Sequence, residues 1–221
     1  MELTLAPIVA SWRFLAAGLM TTLALSAVSL AIGLAVGTLV GMLRTYGGRW
    51  VNLALSLYVD SFRAIPQLVI LVWTYFAFPL LIGQSLSAFQ AASIALGLHL
   101  GAYVSEVVRA GLTSIRPGQM RAAQVLGLSH IQAVRWVILP QAVIRMLPAL
   151  GSLAVIAVKD SSIAAVIAVP EMMRQSQIVA QASFRPFELY TVAMIVYFLI
   201  CYPLARAVDG VYRRLAPLGS S

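Results

Sequence analysis

Residues 114–148 read SIRPGQMRAAQVLGLSHIQAVRWVILPQAVIRMLP, a stretch that carries Arg116, Arg121, Arg135 and Arg145 and no acidic residue. Pro117 suits the first turn of a helix, Gly127 suits its end, and Ser129 suits the cap of a second short helix that runs on past Pro140. The pattern is helix, glycine elbow, helix. Around it the chain is apolar: 61% of its 221 residues are hydrophobic, 10% are charged, and the mean hydropathy is +0.93. That is too apolar for water and too long for a single crossing of a bilayer.

Working outward from the elbow, the uncharged runs give the crossings. Phe14 to Leu43 holds 30 residues without a charge. At about 1.5 Å per residue it reaches roughly 45 Å, beyond a hydrocarbon core of about 30 Å, so it reads as a retained span that tilts or projects. Ala64 to Ser105 holds 42 uncharged residues, enough for two spans, with a break at Pro79, Gly83, Gln84 and Ser85. The expectation is one transmembrane domain over 1–221, with spans near 14–43, 66–82, 87–108, 137–158 and 189–207 and a connecting loop over 114–140. The fold class is all-α, a polytopic membrane protein of about five spans with a helix-elbow-helix segment.

Arginine placement orients it. Eleven basic residues fall on the side holding the elbow, and four (Arg13, Lys159, Arg174 and Arg185) fall on the other. The positive-inside rule then puts the elbow and the C-terminus in the cytoplasm and the N-terminus outside. Topology accounts for the net charge of +8, so nucleic acid is not an expected partner. The single Cys201 and the well-separated His99 and His130 give no metal cluster or internal disulfide. A phosphate-binding loop needs a lysine among glycines, and the sole lysine, Lys159, sits in an apolar setting, so ATP hydrolysis by that route is excluded. No nucleophile elbow is present either, which speaks against an intramembrane enzyme.

Polar residues inside apolar runs are the site candidates. VKDSSI places Lys159, Asp160, Ser161 and Ser162 between two apolar segments, where a broken helix turns polar groups toward a cavity. Asp160 suits an ammonium and Lys159 a carboxylate; alternatively the two cap helices and pair with each other or with Glu171. Glu106 and Arg109, three apart, read as a structural ion pair, and Asp60 with Arg63 repeats that spacing. Gly33, Gly37 and Gly41 line one helix face, and Gly97 with Gly101 another; such faces pack closely, within one subunit or between two. The elbow itself has two readings. Arg116, Arg121 and Arg135 can hold it against lipid headgroups, or Ala122, Ala123 and the neighbouring aliphatic residues can make it a docking element for a cytoplasmic partner.

RAAQVLGLSHIQAVRWVILPQ resembles the EAA loop of ABC importer permeases, Glu-Ala-Ala-x3-Gly-x9-Ile-x-Leu-Pro, in which Ala122, Ala123, Gly127, Leu139 and Pro140 match. Two positions depart: Arg121 stands where the family has Glu, which reverses a charge, and Val137 stands where it has Ile. YVDSFRAIPQLVILVW, GAYVSEVVRAGLTSIRPGQ, KDSSIAAVIAVPEM and FRPFELYTVAMIVYF are similar in order to segments of the polar amino-acid branch. The resemblance implies a type I importer permease of the bacterial cytoplasmic (inner) membrane. It implies ATPase coupling through Arg116, Pro117, Arg121, Ala122, Ala123, Gly127, Leu139 and Pro140, and a substrate path that includes Lys159, Asp160, Ser161 and Ser162. The implied partners are a cytoplasmic ATPase dimer that holds ATP and Mg, a second permease, identical or related, and an extracytoplasmic substrate-binding protein. No cofactor is expected on this chain. The alternatives are a gradient-driven secondary transporter or channel, and a permease of the same class that carries an opine or ectoine-like cargo.

Overall fold

The computed structural model describes residues 4–215, so both ends of the expected 1–221 domain lie outside the described residues. Described residues form helices and turns, without a strand. In chain order they are α1 (Ala6–Ala10), α2 (Trp12–Tyr46), α3 (Arg49–Ala64), α4 (Gln67–Phe76), α5 (Phe78–Ile82), α6 (Ala88–Thr113), α7 (Pro117–Val125) and α8 (His130–Ala133). A π-helical turn (Val134–Ile138), α9 (Leu139–Asp160), a 3-10 turn (Ser161–Ile167), α10 (Met172–Ser183) and α11 (Pro186–Leu215) complete the chain.

Four helical segments are long and apolar enough to cross a membrane: Trp12–Tyr46, Ala88–Thr113, His130–Ile167 and Pro186–Leu215. The fifth candidate is a bent pair. Where one span was expected over 66–82, α4 and α5 follow α3 across a break, and the candidate pair is α3 with α4, bent by 105° and starting at Arg49, a broken span or a re-entrant loop. Pro66 has no N–H to continue α3 and holds Ile65 extended at φ −82°, ψ 133°, so α4 restarts in a new direction. Alone, the 10 residues of α4 are too short to cross.

α2 and α6 make the most extensive helix pair, and glycine lets them meet. A Cβ on Gly37 would lie 2.5 Å from the Val104 Cβ and 2.6 Å from the Gly101 carbonyl oxygen; one on Gly41 would lie 2.7 Å from the Val108 Cβ. Gly97 answers from α6, where a Cβ would lie 2.7 Å from Ile32. These glycine faces therefore serve contact inside the subunit. Thr22, Ser26 and Ser29 continue the buried seam along α2, and Ser26 donates to the Thr22 carbonyl at 2.7 Å, which keeps its hydroxyl satisfied in the apolar interior. α6 starts at a capping box in which Ser87 and Gln90 satisfy each other's backbone amides. It then carries the core: Leu100, Val104, Val108 and Leu112 pack with Met146, Leu153 and Ala157 of α9.

Candidate functional site

The elbow follows from local chemistry. Pro117 opens α7, and Gly127 closes it with φ +84°, in the left-handed region where a Cβ is strained. The Gly127 amide donates to the Gln124 carbonyl at 3.0 Å and the Leu128 amide to the Ala123 carbonyl at 3.1 Å, a Schellman ending. Ser129 and Gln132 then form a capping box that starts α8. Past α8 the helix widens into a π turn ahead of Pro140, whose ring nitrogen has no proton to give, and the Gln141 side chain donates to the Val137 carbonyl at 3.0 Å.

The elbow's residues divide by direction. Ala123 and Ile138 are buried, and Met120 and Leu139 pack against the core that contains Leu112 and Ile115. Arg116, Pro117, Arg121, Ala122 and Pro140 are exposed, and so are Val125 at 87% and Leu126 at 82%. Of the two alanines expected to admit a partner, Ala122 faces outward and Ala123 faces the body of the protein. Tyr46 at the end of α2 meets His130 edge-on with ring centroids 6.5 Å apart, which ties the elbow to the first long helix.

Behind the elbow, Glu106 is gripped from two sides. Arg109 donates to it at 2.8 Å, as the spacing predicts, and Arg44 from α2 donates to its other oxygen. Arg44 is the more buried partner, with 8% of its side chain exposed, and no local pattern signals a contact between residues so far apart in the chain. Arg145 of α9 donates to the Ser114 carbonyl at 2.6 Å, where it complements the C-terminal end of α6. Three long helices are thus pinned at the elbow side. Asp60 and Arg63, expected to repeat the Glu106–Arg109 pairing, do not pair; the Arg63 guanidinium lies 5.5 Å from the centroid of the Tyr103 ring.

The VKDSSI segment sits where α9 tightens into its 3-10 turn, and it points in several directions. Asp160 lies beside Gln67, the first residue of α4 after the Pro66 break, and faces His99. His99 in turn lies near the Phe62 backbone towards the end of α3, and its buried Nδ1 lacks a hydrogen-bond partner among the described residues. Lys159 lies one residue back on an exposed face, along a groove of about 490 Å³ between α9 and α11 that Ser162, Tyr197, Cys201 and Tyr202 also line. Ser161 is buried and donates to the Val158 carbonyl, and Ser162 donates to the Lys159 carbonyl. The four residues therefore do not converge on one point. Gln67 and His99, single polar groups in apolar runs, are the partners that spacing in the sequence did not assign to Asp160.

Glu171 is a second group placed by tertiary structure. Fully buried, it caps α10 through the amides of Met173 (2.8 Å) and Arg174 (2.6 Å), and accepts from Tyr197 of α11 (2.7 Å) and Thr22 of α2 (3.4 Å). Burial pushes its carboxyl above the ordinary carboxylate range, against the pull of those four donors. It pairs with neither Lys159 nor Arg174 and acts as a latch between three helices.

Comparison with known proteins identifies the family and the fold. Residues 33–218 match the family described as binding-protein-dependent transport system inner membrane component. The chain is 35% identical over 199 residues to the glutamine transport system permease protein GlnP of Escherichia coli K12, covering 90% of this chain and 91% of that one. It is 35% identical over 191 residues to the probable amino-acid ABC transporter permease protein YckA of Bacillus subtilis 168, covering 86% of this chain and 84% of that one. A chain from the crystal structure of an amino acid ABC transporter with histidines superposes with a TM-score of 0.89 at 32% identity, over 97% of this chain and 100% of that one. A chain of the MetNI methionine ABC transporter shares the fold, with a TM-score of 0.79 at 23% identity over 93% of this chain and 98% of that one. With the family match spanning most of its length and relatives at this identity, the chain belongs to the inner membrane components of binding-protein-dependent transport systems.

Proposed function

We propose that this chain is the permease subunit of an ATP-driven importer for polar amino acids, and that it moves substrate by alternating access. The observation that carries the reading is that α4, restarted at Gln67, packs against the turn that α9 enters after Asp160, with the buried, unpartnered Nδ1 of His99 close by. A carboxylate among apolar helices is costly unless it serves a ligand or a water-filled path, and broken helices at membrane depth supply such paths. Asp160 receives the substrate ammonium, with Gln67 holding the carboxylate in place. Lys159 presents a cation along the α9–α11 groove, at a separate point of the path from Asp160, while Ser161 and Ser162 hold the end of α9 through their backbone bonds. Relatives named for glutamine and amino-acid transport support this substrate class.

Energy enters through a separate cytoplasmic ATPase dimer, which holds ATP and Mg and docks on Arg116, Pro117, Arg121, Ala122, Pro140 and the Gly127 elbow; Ala123 and Leu139 support that surface from within. The exposed aliphatic tip of α7 supports a docking role. An extracytoplasmic binding protein delivers substrate, with the N-terminus outside and the C-terminus in the cytoplasm. Pairing with a second permease is supported by α3: Trp50, Leu53 and Leu57 are exposed at helical spacing and Asp60 continues the stripe, a carboxylate that lipid covers poorly.

Purification through a terminal tag, identification of the bound chains by mass, and an ATP hydrolysis assay test the reading together. A stoichiometric ATPase and a second permease are expected, with uptake of polar amino acids in vesicles abolished by Asp160→Ala. A lone oligomer whose uptake follows a proton or sodium gradient would overturn it.

A further inference from the structure

We propose that the elbow is matched in charge to its ATPase, and that Arg121 lies against a carboxylate in an acidic cleft of that partner. The inference rests on the docking reading above and adds the sign of the surface that receives the elbow.

Between Arg109 and Asp160 the sequence has no acidic residue, while Arg116, Arg121, Arg135 and Arg145 all fall there. Two of the four are engaged within the chain: Arg145 holds the end of α6, and Arg135 lies 5.3 Å from the centroid of the Trp136 ring. Arg116 and Arg121 form no ion pair with any described residue, and both are exposed. Arg121 is four positions before Val125 and so shares its helix face, with Ala122 and Leu126 beside it. That mixture argues against a lipid surface, because an interfacial helix segregates cations to one face and aliphatic groups to the opposite one. On α7 the opposite face, with Met120 and Ala123, is already packed into the protein. The exposed face combines one guanidinium with two aliphatic side chains, the composition of a protein contact. Covering it would strip water from Arg121, which is tolerable only beside a carboxylate with which it can form a forked pair. A basic receiving surface would repel all of the elbow's free charge.

The test uses the full chain in nanodiscs with the ATPase that co-purifies and is identified by mass. Arg121→Glu is expected to weaken ATPase retention by about tenfold or more, the effect of a like-charge contact. Arg121→Lys supplies an amine at the same place; since Lys159 is the chain's sole native lysine, a carbodiimide should create one new cross-link to an Asp or Glu of the ATPase. Converting that acid to Arg should restore retention of the Arg121→Glu permease. If Leu126→Asp expels the ATPase while Arg121→Glu keeps it at wild-type affinity, docking stands and the acidic match is wrong. If neither change alters retention, the docking reading itself fails. If Arg121→Glu matters only in discs that contain anionic lipid and not in phosphatidylcholine alone, the arginine serves headgroups and the proposal is overturned.

Discussion

Gly37 lies inside a helix and Gly127 just past the end of one, and they answer opposite needs. At Gly37 a Cβ would meet Val104 and the Gly101 carbonyl at 2.5–2.6 Å, while φ is ordinary; at Gly127 nothing lies within 4 Å of a Cβ, and φ is +84°. The first glycine is required by a neighbour and the second by the backbone. The difference separates two kinds of surface in one chain. The α2–α6 seam is finished within the molecule, whereas the elbow is shaped in detail by a Schellman ending and a capping box yet leaves Ala122, Val125 and Leu126 exposed. A surface so defined and so bare is the one we propose meets another chain.

Substitutions that treat the two surfaces differently give the strongest checks. Gly37→Val should be the most damaging change, because two branches would enter a seam without room for one carbon. A loss above about 3 kcal/mol is expected, and detergent size-exclusion should show little folded protein. A normal melting temperature for that variant would mean that α2 and α6 do not approach as described. Glu171→Ala comes next, since it leaves Tyr197, Thr22 and two amides of α10 without their acceptor; about 2–4 kcal/mol should be lost. Glu171→Gln should recover part of the loss, as its carbonyl oxygen still accepts.

Gly127→Val reverses the balance between stability and function. Forcing a β-branched residue into the left-handed region costs about 1–2 kcal/mol, which a fold held elsewhere can absorb. The variant should therefore melt only a few degrees early, yet uncouple ATP hydrolysis from uptake, because α8 leaves α7 at a different angle. Coupled transport at wild-type rates by the Gly127→Val permease would show that the elbow geometry is dispensable.

How far the sequence could be read follows the same division. The apolar runs, the cap at Ser129, the glycine turn and the small-residue faces are local patterns, and each is present as the periodicity and turn chemistry predict. What escaped depends on chain closure. Arg44 reaches Glu106 across 62 positions and Thr22 reaches Glu171 across 149, distances over which a one-dimensional pattern carries no register. The bent α3–α4 unit was hidden because Arg49, Asp60 and Arg63 interrupt the apolar run that would mark a span, although Pro66 announced the break itself. Asp60 and Arg63 had the right spacing for a pair, but Arg63 has an aromatic face to lie on. In the VKDSSI segment chemistry was legible and direction was not, since successive residues on a helix point about 100° apart.

Gly118 supplies the mildest check and isolates what Gly127 does. Both are in the elbow, and neither has an atom within 4 Å of a Cβ, but only Gly127 has positive φ. Gly118 is the second residue of α7, behind Pro117, where helical backbone suits any residue and glycine only adds freedom to the unfolded chain. Gly118→Ala should stabilise by about 0.4–1 kcal/mol, or raise the melting temperature by a degree or two, and leave uptake and ATP hydrolysis coupled. If the methyl group at 118 instead lowered ATPase retention with the melting temperature intact, the docking surface would close on Gly118 itself, between Pro117 and Arg121. That outcome would enlarge the contact while leaving its Gly127 hinge where the backbone places it.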